Sequence, residues 1–260
     1  SMMDHMARGT DDIANMPRGG FDASCLDRWL QTERSEYLDC GDADQKRRVI
    51  AALDRAEEFF GDHARFARLA LHEVAEVPDP RILELGAGHG ALSRQLLIDH
   101  PTAEVTITDV EPAAVAAIAA GELGRHPRAV VQVMDATAID SPDRAFDLAV
   151  FALSFHHLPP PAAARVLAEG TRVADRLLII DLARPPAPVH LLRVATMLPW
   201  APLVPFVHDG LISSLRAYSR SALRALAAHA DSGIELEFRG RGLPFPPRAP
   251  VQAVVARRAT

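Results

Sequence analysis

The stretch that most restricts what this chain can fold into is Arg81-Ile82-Leu83-Glu84-Leu85-Gly86-Ala87-Gly88-His89-Gly90-Ala91. Ile82, Leu83 and Leu85 form a short apolar run directly after the breaker Pro78-Asp79-Pro80, which predicts a buried strand. The strand runs into glycines, and residues 92–98 then offer apolar side chains at helical spacing. Strand, glycine turn and helix together place a ligand against a helix N-terminus. Glycine permits positive φ and lets the ligand approach the backbone with no Cβ in the way.

The chain ahead of this stretch reads as helical. Residues 1–20 are polar and predict a disordered arm or an expression remnant, with Ser1 standing before two methionines. Leu26, Trp29 and Leu30 suggest an amphipathic helix within 21–38, followed by a turn at 39–44. Val49, Ile50, Leu53, Phe59 and Phe60 fit a second helix. Phe66, Leu69, Ala70, Val74 and Val77 fit a third that begins after Asp62 as N-cap. Residues 21–78 are thus expected to form an N-terminal helical cap, either a packing layer on the sheet or a lid over a pocket.

After the glycine stretch, strand and helix signals alternate. Strands are expected at 103–108, 129–134, 146–153 and 176–182, with helices opening at Glu111-Pro112 and spanning 159–173. That alternation predicts a doubly wound, mostly parallel α/β sheet of the Rossmann-like kind with helices on both faces. Residues 183–218 break the rhythm. They are apolar and carry Pro185, Pro186, Pro188, Pro199, Pro202 and Pro205, and an exposed loop is rarely so apolar, so this insert is expected to pack or to line a pocket. A helix at 219–230 and two strands at 234–238 and 251–256, split by a loop, complete a seven-stranded sheet with an antiparallel edge. On this reading 79–260 is one domain carrying the insert 183–218.

Bulk composition excludes several classes. A net charge of −6 argues against a nucleic-acid backbone as partner. Lys46 is the only lysine, so the basic residues are nearly all arginine, a bias attributable to GC-rich coding. Cys25 and Cys40 are the only cysteines and are not spaced as a Cys-x-x-Cys pair, which gives neither a disulfide framework nor a zinc cluster. His63, His72, His100, His126 and His229 lack ligand spacing, so no metal is expected. No apolar run is long enough for a transmembrane helix and the N-terminus lacks a signal-peptide layout, so the expectation is a cytoplasmic protein with no membrane partner.

Ligands on such a sheet bind outside the carboxyl ends of the strands. Strand one brings Glu84, Gly86, Gly88 and Gly90 there. Strand two ends in Asp109, about twenty residues after the first glycine, where a carboxylate can accept both hydroxyls of a ribose. Strand three ends in Asp135-Ala136, suited to an adenine amino group and ring nitrogen, and strand four in Phe151-Ala152-Leu153-Ser154-Phe155-His156-His157-Leu158. Acids at three successive strand tips suit a sulfonium, a ribose and an adenine. They suit a pyrophosphate poorly, because Glu84 would repel it. Each acid has a plain alternative as the cap of the next helix.

Glu84-x-Gly86-x-Gly88-x-Gly90, Thr108-Asp109-Val110-Glu111-Pro112, Met134-Asp135-Ala136 and Phe146-Asp147-Leu148 leading to Phe155-His156-His157-Leu158 together resemble the class I S-adenosylmethionine (SAM) methyltransferases. The nearest flavour is the small-molecule group typified by the ubiquinone and menaquinone biosynthesis enzymes. The resemblance covers about 80–182. It implies SAM as cofactor, with S-adenosylhomocysteine (SAH) as product, and a cofactor-binding set of Glu84, Gly86, Ala87, Gly88, Asp109, Val110, Asp135, Ala136 and Phe151. Gly86 and Gly88 would lie against the methionine part, Asp109 would hold the ribose, Asp135 and Ala136 would flank the adenine, and backbone near Phe151 would meet the methionine amino group. An Asn- or Asp-Pro-Pro-Tyr element, the mark of base and amide N-methylation, is absent after strand four.

Methyl transfer needs positioning and desolvation more than covalent help, though a hydroxyl acceptor gains from a base near neutral pKa. His156 and His157 stand where an acceptor would be, and His208, beside Asp209 in the insert, is a third candidate base. Arg34, Tyr37 and Asp39 are candidates to close over the cofactor. The expected acceptor is a small hydrophobic or aromatic molecule methylated at oxygen or carbon, held by Leu191, Leu192, Met197, Leu198, Trp200 and Phe206, and the cap offers a face for a possible homodimer. Two rivals remain at this stage. Gly86-x-Gly88-x-x-Ala91 with Asp109 also satisfies the relaxed dinucleotide pattern of NAD(P)-dependent oxidoreductases, though no Tyr-x-x-x-Lys pair accompanies it. A non-catalytic SAM-binding protein would show the same motifs.

Overall fold

The computed structural model describes residues 13–34, 36, 62–239 and 251–259. The second expected helix (49–60), Tyr37, Asp39, Cys40 and the loop 240–250 lie outside the described residues. Contacts divide the chain into two compact units: residues 62–180, 226–240 and 253–260 form one, and residues 1–61, 181–225 and 241–252 the other.

The first unit is built on the sheet. β1 (Arg81–Leu85), β2 (Glu104–Asp109), β3 (Ala129–Val133), β4 (Phe146–Ala152), β5 (Ala174–Leu182), β6 (Ile234–Arg239) and β7 (Val251–Arg258) run in the order β3-β2-β1-β4-β5-β7-β6. β1 pairs in parallel with β2 and β4, β2 with β3, and β4 with β5, whereas β6 and β7 are antiparallel. The central strands are continuous apolar runs because both faces are covered: Ile82, Leu83, Leu85, Leu148, Ala149, Val150, Leu177 and Ile180 are fully buried. Strand order reverses between β1 and β4, which puts a topological switch point beside the glycine loop.

Helices α2 (Asp62–Glu73), α3 (Ala91–Asp99), α4 (Pro112–Ala120) and α5 (Pro160–Val173) accompany these strands. α2 buries Phe66, Ala67 and Ala70 and packs on α3 and β4, so it belongs with the sheet. Asp62 is the first residue of that helix and not its cap. α4 starts as its sequence predicts, with Pro112 in the first turn and the Glu111 carboxylate accepting from Ala113 N–H.

The second unit departs from the sequence expectation in three places. Residues 13–20 are not loose: Ile13–Asn15 form a 3-10 turn and Met16 and Arg18 are buried. The Arg18 guanidinium lies 4.6 Å from the Tyr218 ring centroid, bonds the Glu33 carboxylate, and donates to the Arg216 carbonyl at 3.1 Å. Among the described residues of 21–38 the expected helix is only α1 (Cys25–Trp29), capped by Ser24, and Trp29 is 73% exposed. It stops because Arg184 takes the carbonyls that a longer helix would use, donating to Asp27 O at 2.9 Å and Leu30 O at 2.6 Å. The proline-studded insert is two helices, α6 (Ala187–Met197) and α7 (Pro205–Arg216), with Pro188 and Pro205 in their first turns, where a missing N–H costs nothing, and Pro199 and Pro202 in the turn between them. α8 (Arg220–Ala230) follows. Among the described residues no helix is long and apolar enough to cross a membrane.

Arg184 also pairs with the Asp27 carboxylate at 2.8 Å and reaches the carbonyls of Leu215 and Ala217, with its side chain almost wholly buried. Removing one partner of a buried pair leaves the other charge and several carbonyls unsatisfied. Arg184→Met should therefore cost about 3 kcal/mol or more of stability, read as a lowered urea midpoint. An unchanged midpoint would show that α1 and α7 are held by packing alone.

Candidate functional site

The site is assembled at the carboxyl edge of β1, β2, β3 and β4. Gly86, Gly88 and Gly90 have φ of 65°, 56° and 72°, a left-handed path that L side chains rarely adopt. Two of them are also close approaches. A Cβ on Gly86 would stand 2.6 Å from Phe151 Cε2, and one on Gly90 would stand 2.7 Å from Leu123 Cδ1. Gly88 differs, because a Cβ there would meet nothing within 4 Å, so the loop faces open space at that residue. Gly90, the glycine that the dinucleotide pattern does not ask for, is thus explained by packing and by its place as N-cap of α3.

The loop is tied to β2. Ala87 N–H donates to Thr108 O at 2.9 Å and Gly88 N–H donates to Asp109 Oδ2 at 2.9 Å. The other oxygen of Asp109 accepts from Glu111 N–H at 2.9 Å. Each oxygen keeps a further lone pair for an incoming hydroxyl. The next residue, Val110, is 65% exposed at the same strand tip. At the end of β3, Asp135 Oδ1 accepts from both Thr137 N–H and Thr137 Oγ1 at 2.8 Å, the turn-capping role expected of a strand-end acid. Its Oδ2 has no partner among the described residues, and Ala136 beside it is half-buried.

Glu84 is nearly fully buried and accepts a hydrogen bond from Ser93 Oγ of α3. Burial away from water pushes its carboxyl up to about 7, against the opposing pull of Ser93 and of His63, and the neighbouring Asp109 charge adds to the rise. Thr108 Oγ1 donates to Glu84 O at 2.7 Å, locking the strand end from the other side.

After β4 the chain turns sharply. Phe151 is buried in the sheet and its ring meets Phe155 edge-on at 5.9 Å, so its side chain packs under the glycine loop. Leu153 takes φ 57°, uncommon for a branched side chain, while its N–H donates to Ile180 O at 2.7 Å. A 3-10 turn, Phe155–His157, then brings the rings of His156 and His157 to 4.3 Å of each other, His156 buried and His157 half-buried.

The structure therefore gathers Glu84, the glycine loop, Asp109, Val110, Asp135, Ala136, Phe151, His156 and His157 at one edge of one unit. His208 belongs to the other unit, on α7, where its Nδ1 lies 3.0 Å from Asp209 Oδ1. Leu191, Leu192, Met197, Leu198 and Trp200 also belong there, with Leu192, Leu198 and Trp200 mostly exposed. Arg34 is exposed. Sequence reasoning missed Ser93, Thr108 and Leu153. Ser93 sits one turn into the helix after the loop, and that position was the signal for it. Nothing in the residue type announces the backbone at Leu153.

A family model described as a methyltransferase domain matches residues 82–176, the span that holds every strand tip described above. Over those residues the chain is similar to methyltransferase domains. The domain is similar, at 29% identity over 195 residues, to the demethylmenaquinone methyltransferase of Thermus thermophilus, covering 68% of this chain and 86% of that one. It is 32% identical over 134 residues to the malonyl-[acyl-carrier protein] O-methyltransferase of Geobacter sulfurreducens, covering 49% of each. The chain thus spans about half the length of that relative. In fold, the plantazolicin methyltransferase BpumL, solved with a monoazolic desmethylPZN analog and SAH, superposes with a TM-score of 0.61 at 13% identity, over 90% of this chain and 96% of that one. The pyocyanin biosynthetic protein PhzM superposes with a TM-score of 0.58 at 20% identity, over 86% and 61%. The cofactor of this family is SAM.

Glu84 makes the domain's stability pH-dependent. Its carboxyl binds a proton more tightly when folded, so its contribution is full below about pH 4.5 and is lost as pH rises through about 7. Across that window the unliganded wild type should lose about 3 kcal/mol relative to Glu84→Gln, measured by urea denaturation at stepped pH. A difference that stays flat with pH would mean that Glu84 titrates as an ordinary carboxylate.

Proposed function

We propose that the chain transfers the methyl group of SAM to a small hydrophobic or aromatic acceptor, at oxygen or carbon. The observation that carries this reading is the Asp109 carboxylate, fixed by Gly88 N–H and Glu111 N–H at the tip of β2 beside a glycine loop that opens to empty space at Gly88. When bound, SAM supplies an electrophilic methyl on a sulfonium, already activated for transfer. The residues present fit it. Glu84 and Asp109 give negative potential beside the loop, and Asp109 offers lone pairs to ribose hydroxyls. Exposed Val110 offers an apolar surface to an adenine face, and Asp135 Oδ2 offers an acceptor to its amino group.

The chain's own work is then to orient and to exclude water. His156 and His157, on the 3-10 turn after β4, would take a proton from an acceptor hydroxyl, the role for which imidazole has the right intrinsic pKa. A carbon acceptor would use the same histidines to remove the ring proton after transfer. Support for a small hydrophobic acceptor comes from the relative named for demethylmenaquinone, and support for oxygen from the one named as a malonyl-[acyl-carrier protein] O-methyltransferase. Buried acid at Glu84 disfavours a pyrophosphate at the loop, which weighs against the NAD(P) alternative.

Calorimetric titration with SAH, with NADH and NADPH as controls, tests the reading. Wild type should bind SAH, and Asp109→Asn, matched in melting temperature, should weaken it by about 1 to 3 kcal/mol, the size of a hydrogen bond to a charged group. Binding of a nicotinamide cofactor instead, or no adenosyl binding, would overturn the reading.

A further inference from the structure

The sheet of the first unit ends in two unlike edges, β3 at one side and β6 at the other. β6 carries Glu235, Glu237 and Arg239, and both glutamates are in ion pairs, so charge guards that edge against the addition of a further strand. β3 has no such guard. Residues 129–134 read Ala-Val-Val-Gln-Val-Met, with no charge, proline or glycine. Val130 is 57% exposed and Val133 53% exposed, so the edge stays open to solvent. α4, which packs on β3, extends the uncharged surface: no residue of Pro112–Ala120 is charged, and Ala116, Ala119 and Ala120 are exposed.

The ladder fixes which backbone groups of β3 point outward. Val105 N–H donates to Arg128 O at 2.9 Å, and Met134 N–H donates to Asp109 O at 3.0 Å. A parallel ladder engages alternate residues of a strand, so Arg128, Val130, Gln132 and Met134 turn their backbone to β2. Val131 and Val133 turn N–H and C=O away from the sheet, and among the described residues no backbone bond reaches them. Ala129 N–H, next in that row, is already taken by His126 O. Two such residues with one between them are their own complement. A twofold axis at Gln132 sets Val131 against Val133 of a second copy, and the four outward N–H groups then meet the four outward carbonyls. Gln132 faces Gln132 of the second copy as a non-hydrogen-bonded pair, where side chains stand closest and one amide can donate to the other. The strand runs from Arg128 to Asp135, so antiparallel pairing brings the positive start of one copy beside the negative end of the other.

We infer that β3 is a homodimer interface: two copies join edge to edge, antiparallel about Gln132, so that one sheet continues into the other. The inference rests on strand register and is independent of the methyl-transfer reading. It assigns the homodimer expected from sequence to the sheet edge and not to the N-terminal cap. An unrelated strand would have to bring a fitting register, an apolar face and complementary end charges of its own, whereas a second copy supplies all three by symmetry. A pair of five-residue strands is a small interface, so the association is concentration-dependent, with the exposed alanines of α4 adding apolar area beside it.

Sedimentation velocity of the full chain over a concentration series, with amide hydrogen exchange on the same samples, is the test. Wild type should dimerise as concentration rises, and the Val131 and Val133 amides should gain protection in step, while those of Gln132 and Met134 stay protected throughout by β2. Val131→Pro deletes an N–H that β2 does not use and so removes two of the four bonds between copies. It should weaken dimerisation about tenfold or more at a matched melting temperature. Val133→Lys, which sets a charge against Val131 of the second copy twice over, should act likewise and serves if the proline variant does not fold. Gln132→Cys, with Cys25→Ser and Cys40→Ser, should cross-link on oxidation, because residues paired at the axis have Cα atoms about 4.5 Å apart. A monomer at every concentration overturns the inference. So does a dimer that neither substitution weakens and that does not cross-link at 132, which would move the interface to another face. Protection of both valine amides in the dilute monomer overturns it too, by showing that the chain covers its own edge. No readout here involves SAH, so failure of this inference is distinct from failure of the methyl-donor reading.

Discussion

One carboxylate holds the functional edge together. Asp109 receives Gly88 N–H on one oxygen and Glu111 N–H on the other, so a single side chain fixes the loop after β1 and the turn after β2. It can do so because parallel pairing sets Glu84 against Ile107 and brings the two strand tips level. A glycine-rich loop carries a large entropic cost when ordered, since each glycine gives up more backbone freedom than any other residue. The Asp109 bond and the Ala87–Thr108 bond offset that cost and leave Gly88 facing open space. The cradle is thus a consequence of one strand register and one acid.

The second acid, Glu84, shows what this arrangement costs. It is buried on the same strand and feels the charge of Asp109, and dehydration raises its proton affinity to near neutrality. Ser93 only partly compensates. A cation beside Glu84 would return it to the charged form, whereas a phosphate would add to the repulsion. The electrostatics of the apo edge therefore separate a sulfonium ligand from a pyrophosphate one, a distinction that glycine spacing alone does not make.

Much of the sheet and its edge was legible. Apolar runs such as Leu177-Leu178-Ile179-Ile180 read as strands because parallel strands are buried on both faces, and each acid lay at a strand tip as its position implied. The helices of 183–218 were hidden by their prolines, which look like breakers until they are placed in first turns. Residues 13–20 read as a loose arm because their composition is polar, yet Arg18 is buried under Tyr218. Leu26, Trp29 and Leu30 have helical spacing, but the helix ends at Trp29 because its carbonyls are bonded by an arginine more than 150 residues away. Periodicity reports what a segment can do by itself, and these failures occur where a distant side chain competes for its backbone.

Those competitors share one chemistry. Arg128 bonds the carbonyls of Leu97, His100 and Ala103, Arg172 those of Ile139 and Ser141, and Arg184 those of Asp27, Leu30, Leu215 and Ala217. Carbonyls at helix ends and irregular turns have no intrahelical donor, and each must be satisfied if buried. A guanidinium brings five donors in a rigid fork and reaches several at once, whereas an ammonium is a compact point charge. The near absence of lysine, which composition alone assigns to coding bias, thus has a structural counterpart at these positions. At 128, 172 and 184 the requirement is for the fork and not only for the charge, and a lysine there would leave carbonyls unpaired in both units.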